Sequence, residues 1–196
     1  AGDDFLINGS KVFGTNSAEA EVFLIYLRFG PGIDGIGSAI IEKGTPGFEI
    51  GPSYRYMNGE FWSPLYFDNC RIPESNILLG AGGFKKQISG FNIERLGNAA
   101  RAVAVGRKAF SEACEHAKTR QQFGRDICEF QGLQWKFAEM EMRLEAAQLL
   151  LLRAVTKADS NLPSAQDSAL AKLACNEAGF FAANEALQVM GALGFS

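Results

Sequence analysis

Glu94 sits in the stretch Phe91-Asn92-Ile93-Glu94-Arg95, in surroundings that would suit a general base. On a helix, the positions three and four away from it are Gly90, Phe91, Gly97 and Asn98. None is a cation, so the ion pair usual for a surface glutamate is missing. Two are glycines, each costing roughly 1 kcal/mol in a helix interior. Glycine at those positions leaves room for something other than protein to lie against the helix. A lone helical glutamate is ordinarily a solvated surface residue, and Glu94 has to be weighed against that. The other charges on this helix fit a solvated face more readily: Arg101, Lys108, Glu112 and Glu115.

A second polar constellation is Thr119-Arg120-Gln121-Gln122-Phe123-Gly124-Arg125-Asp126-Ile127. Two arginines beside a glycine and two amides can hold an anionic phosphate. On its residues alone the segment reads first as a solvated helix-to-helix connection with a buried Phe123. The single histidine, His116, falls near a helix end, where a cation is favourable and a structural role is expected. No Gly-x-Ser-x-Gly elbow accompanies it. Cys70, Cys114, Cys128 and Cys175 are scattered without a Cys-x-x-Cys pair. They read as free thiols of a reducing compartment, and no metal site is expected.

These residues need elements to position them. The first eighty or so read as β-structure, with residues 1–80 forming one domain and 81–196 another. Phe5 to Phe13 resembles two short strands around an Asn8-Gly9 hairpin turn. Strands are also expected at Val22–Phe29, Ile36–Glu42, Phe48–Ile50 and Leu65–Asp68, in a small sandwich or barrel. Beyond Phe84 the period changes. A first helix, Phe84 to Lys118, carries the stripe Leu96, Ala99, Val103, Gly106, Phe110, Ala113 and Ala117. A second, Phe130 to Ala158, carries Leu133, Phe137, Met140, Leu144, Ala147, Leu151 and Ala154. A third starts near Ser164, a capping residue, and ends at Met190 before Gly191. The fold class is therefore α+β, a small β-sandwich or barrel followed by an antiparallel bundle. Three helices leave a fourth wanting.

Composition narrows the function. A chain of 196 residues with net charge −3 and no basic run gives no electrostatic case for nucleic acid. No apolar run, whether Leu149 to Leu152 or the longer Val22 to Leu27, comes near the length needed to span a bilayer, and no signal-peptide pattern opens the chain.

Four segments, in order, carry a family signature. Asn8-Gly9-Ser10-Lys11-Val12-Phe13-Gly14-Thr15-Asn16 resembles the NGxKxWITN strand of the acyl-CoA dehydrogenases. Phe67 to Pro73 is similar to their F-x-x-x-x-V-P segment. Arg120-Gln121-Gln122-Phe123-Gly124-Arg125 with Gln131 resembles their RxxFG…Q segment, and Gln188 to Gly194 their Q-x-x-GG-x-G turn. The resemblance spans essentially the whole chain. It implies a middle β domain and three of four C-terminal helices. In the family an α-helical domain precedes this portion and a C-terminal tail follows it.

The resemblance also implies an activity: an α,β-double bond is made in an acyl-CoA thioester while FAD accepts the hydride. In most members the base lies in a C-terminal Glu-Gly segment that is not in this sequence. In isovaleryl-CoA and long-chain acyl-CoA dehydrogenases it lies in an E-R dipeptide, which Glu94-Arg95 matches. Asn92, Ile93 and Arg95 are then implied as substrate contacts. Phe13, Gly14, Thr15, Arg120, Phe123, Gln131, Gln188, Gly191 and Ala192 are implied as FAD contacts. Implied partners are an electron-transferring flavoprotein and further copies of the chain, as a homodimer or homotetramer. The setting would be fatty acid or amino acid catabolism, in bacterial cytoplasm or the mitochondrial matrix.

Three departures stand out. Phe13 replaces the usual tryptophan, Gly191-Ala192-Leu193-Gly194 replaces GG-x-G, and Met57 to Ser63 lacks the arginine of MGxRxS. A flavin oxidase, another atypical acyl-CoA enzyme and a cofactor-free helical interaction module therefore stay open as alternatives.

Overall fold

A computed structural model describes residues 4–158 and 161–196. Residues 1–3 and 159–160, which fall within the expected β and helical regions, lie outside the described residues. The chain forms two units, Ala1–Gln87 and Ile88–Ser196.

In the first unit, alternating side chains sort strands into two packed sheets. β6 (Phe61–Pro73) is the spine of a four-stranded sheet, flanked by β1 (Asp4–Thr15) and β4 (Phe48–Ile50), with β5 (Tyr54–Arg55) pairing its start. β2 (Val22–Arg28), β3 (Ile36–Glu42) and β7 (Ile77–Leu79) form the other sheet. Phe23 and Ile25 point inward from β2 while Leu24 between them is exposed, as period-two alternation requires. They meet Ile7, Leu65, Phe67 and Ile72 of the first sheet in one core. Phe48 packs between Phe23 and Phe67, each ring centroid 5.0 Å away. The result is a sandwich of open sheets rather than a closed barrel.

The Asn8-Gly9 hairpin does not form. β1 runs through it as one strand, paired with β6 on both sides and shifted in register between Ile7 and Gly9. A two-residue hairpin turn of this sequence would need positive φ at both residues, but only Gly9 has it, at 138°. Asn8 Oδ1 instead accepts the Asn69 N–H at 2.8 Å, across the strand pair. The long partner β6 therefore converts the turn signal into a bulge.

In the second unit, which α1 (Phe84–Thr119) enters at Ile88, α1 and α2 (Gln131–Ala158) turn inward the stripes expected from their 3.6-residue period, and α3 (Ala165–Met190) packs against them. Ala99, Val103, Met140, Leu144, Cys175 and Ala182 share a core. α1 and α3 cross closely where both have glycine. A Cβ on Gly106 would fall 2.8 Å from Leu144 Cδ2 and 2.9 Å from Gly179 Cα. Ser164 caps α3 by accepting the Asp167 N–H at 3.0 Å. Gly191, at φ 60°, ends the helix with its N–H on the Gln188 carbonyl. The four cysteines are free, and burial pushes the Cys70 and Cys175 thiols up. Among the described residues no helix is long and apolar enough to cross a membrane.

Between α1 and α2 the chain makes a small hairpin, β8 (Gln121–Gln122) against β9 (Arg125–Asp126). Phe123 and Gly124 form its two-residue turn, with φ of 54° and 80°. Phe123 is 92% exposed at the tip, so the expectation of a buried ring is wrong. The tight turn lifts it away from the helices, and its contact is an edge-on approach to Phe130 with centroids 6.2 Å apart.

Candidate functional site

Glu94 lines a groove of about 440 Å³ on the helical unit. Arg95, Gly97, Asn98 and Arg101 of α1 line it too, and Lys172 lines it from α3. Glu94 is exposed there and makes no ion pair among the described residues. A Cβ built on Gly90 or Gly97 would meet nothing within 4 Å, so the space that glycine was expected to leave is present.

The residues beside Glu94 divide by role. Asn92 is only 5% exposed. Its Nδ2 donates to the Pro163 carbonyl at 2.8 Å, and its Oδ1 accepts from Arg95 Nη1 at 2.7 Å. Close by, Asp167 of α3 receives Arg153 at 3.2 Å and Lys157 at 3.7 Å from α2. Asn92 thus links the Pro163 carbonyl to the Arg95 guanidinium. Its polar atoms face the protein rather than the groove. Ile93 is exposed and does not line the groove.

A second groove of about 460 Å³ lies at the other end of α1. Arg120, Gly191 and Ala192, distant in sequence, line it together with His116 and Gln122. The positive φ of Gly191 and the small side chain of Ala192 leave backbone accessible beside a guanidinium, the chemistry an anionic diphosphate needs. Gln188 and Gln131 are exposed near these elements without lining the groove, and Phe123 projects from the hairpin.

In the β unit, Gly14 and Thr15 line a groove of about 350 Å³ along β2. Phe13 does not line it. Its ring, 61% exposed, packs on Trp62 with centroids 4.6 Å apart, and its carbonyl accepts from the Tyr56 hydroxyl at 3.2 Å. The strand partner thus places an indole next to the phenylalanine that stands where tryptophan was expected. A Cβ on Gly14 would strike Ser17, whose Oγ donates to the Gly14 carbonyl at 2.8 Å.

Sequence reasoning missed Arg101, Lys172 and His116 as groove residues. Arg101 looked like part of a solvated face. Its position seven residues after Glu94, hence on the same face of α1, was the available signal. Lys172 has no such signal, because it reaches the groove only through the packing of α3.

The family description "Acyl-CoA dehydrogenase, C-terminal domain" matches residues 81–196, more than half of the chain. The chain belongs to the acyl-CoA dehydrogenase family. It is 36% identical to an acyl-CoA dehydrogenase of Bacillus subtilis (strain 168), over 97% of this chain and 52% of that protein. Its fold is similar to butyryl-CoA dehydrogenase from Megasphaera elsdenii, with TM-score 0.92 and 33% identity over 98% of this chain and 52% of that one. A chain in a solved structure described as the electron transferring flavoprotein of Acidaminococcus fermentans is also similar, with TM-score 0.92 and 33% identity over 100% and 53%. The chain spans about half the length of the curated relatives it matches. Within an acyl-CoA dehydrogenase fold, the Glu94 groove and the Arg120 groove lie at opposite ends of α1.

Proposed function

We propose that the chain is the β and helical portion of an FAD-dependent acyl-CoA dehydrogenase, with residues 1–80 as its middle domain and 81–196 as its C-terminal domain. Glu94 is the base that takes the α-proton of an acyl-CoA thioester. The observation supporting this most strongly is Glu94 itself: a carboxylate with no ion pair among the described residues, on an open groove floored by Gly97. An acyl chain lying in that groove displaces its water, and a desolvated carboxylate is a stronger base. Arg95, held by Asn92, offers a positive group beside the thioester's CoA portion.

FAD, when bound, supplies the acceptor for the hydride that leaves the β-carbon. The residues present fit it. Arg120 and the Gly191-Ala192 backbone provide an anion cradle on the helical unit. Phe13, Gly14 and Thr15 provide an exposed aromatic and a close backbone on the β unit. An electron-transferring flavoprotein is the proposed acceptor, and a homodimer or homotetramer the proposed assembly. Bacterial cytoplasm or mitochondrial matrix is the proposed setting.

An anaerobic absorbance titration with acyl-CoAs tests this reading. Bleaching of a yellow flavin band is the expected result, and no oxygen should be consumed when air is admitted without an acceptor. A colourless protein that FAD cannot reconstitute would contradict it, whereas rapid oxygen uptake would make the chain an oxidase.

A further inference from the structure

The Glu94 groove holds more positive charge than the proton abstraction uses. We propose that Arg101 and Lys172 form a subsite that reads a carboxylate at the far end of the acyl chain, so that the preferred substrates are thioesters of dicarboxylic acids. The inference rests on Glu94 being the base of an acyl-CoA dehydrogenase.

Most other cations of the helical unit are committed to carboxylates, Arg120 at the second groove and Arg125, which lies over the Phe130 ring, being the exceptions among the described residues. Arg107 lies 3.5 Å from Glu141 and 2.7 Å from Glu145, Arg153 and Lys157 share Asp167, and Lys136 holds Glu185. Arg101 and Lys172 make no ion pair or hydrogen bond to any described side chain, and both line the groove. Three cations, Arg95 included, therefore surround one carboxylate, Glu94. Two unpaired cations lining one groove favour an anionic ligand there.

Geometry separates these cations by task. Arg95 is tethered to Asn92, on the N-terminal side of Glu94. Arg101 lies two turns beyond Glu94, about 10 Å along the axis, and helical side chains lean toward the N-terminus, back over Asn98. Lys172 is half-buried and faces the groove from α3. A thioester with its CoA portion at Arg95 and its α-carbon at Glu94 sends its acyl end toward Arg101 and Lys172. A methyl end there would displace water from two cations and replace none of its hydrogen bonds. A carboxylate end accepts from the Arg101 fork and from the Lys172 ammonium.

The test compares adipoyl-CoA with hexanoyl-CoA, which share a six-carbon chain, by calorimetric binding to the FAD-loaded protein and by anaerobic flavin bleaching. Adipoyl-CoA is expected to bind about tenfold or more tightly than hexanoyl-CoA. Arg101→Met and Lys172→Met should each shrink that ratio several-fold at unchanged circular dichroism, and Arg101→Lys should keep most of it. A ratio near one in the unaltered protein, or one that Arg101→Met leaves unmoved, overturns the subsite. Equal weakening of both thioesters by Arg101→Met would assign the cations to the CoA phosphates and overturn the acyl-end reading. Bleaching by hexanoyl-CoA with a ratio near one would sink the subsite alone. A retained adipoyl-CoA preference without bleaching by either thioester would sink the dehydrogenase reading and leave the subsite standing.

Discussion

Asn92 shows how one buried amide can organise a site without touching the chemistry. It joins the Pro163 carbonyl to the Arg95 guanidinium, so its loss should both loosen the fold and misplace a cation. Asn92→Ala strands a buried carbonyl, and the expected loss is about 1–3 kcal/mol in urea unfolding. The KM for acyl-CoA should rise as well, because Arg95 loses its tether. Asn92→Asp keeps an acceptor for Arg95 and should restore much of the KM while remaining destabilised. Unchanged KM in both variants would reduce Asn92 to a loop anchor. At this scale the sequence was informative about Glu94, whose glycine neighbours and missing ion pair are local facts. About Asn92 it was not, because Pro163 lies across the fold and no spacing rule reaches it.

The helices were legible because their burial period is a property of the chain itself. The stripes of α1 and α2 are the ones the sequence displays, with Leu96, Ala99, Met140 and Leu144 all buried. Two turn signals were read less well. Asn8-Gly9 is a bulge because a long partner strand outcompetes a local turn, and Phe123-Gly124 is a turn that exposes its aromatic residue. Glycine likewise has opposite meanings on facing helices. At Gly179 an added Cβ would lie 2.9 Å from the Ala102 carbonyl carbon, against backbone that cannot move alone. Gly179→Ala should cost about 1–3 kcal/mol and lower Tm by several degrees. Gly97 faces open groove, so Gly97→Ala should stabilise α1 by roughly 0.5–1 kcal/mol. Paired calorimetric melts decide the matter. A destabilised Gly97→Ala would mean that the groove is filled by protein.

At the scale of the whole molecule, two units each bring together residues that the sequence keeps apart. Arg120 meets Gly191 and Ala192, and Glu94 meets Lys172, only because three helices pack side by side. The motifs carried the family, whereas the grooves needed the tertiary structure. The proposed dehydrogenation depends most on Glu94 as its proton acceptor. The direct measurement is stopped-flow flavin reduction by an acyl-CoA in the unaltered protein and in Glu94→Gln, with the bound FAD quantified in both. Glutamine keeps the shape and removes the basicity, so the account predicts full FAD occupancy with reduction slowed by at least about a thousandfold. Near-normal reduction in Glu94→Gln would contradict it and place the base outside this chain's long helix.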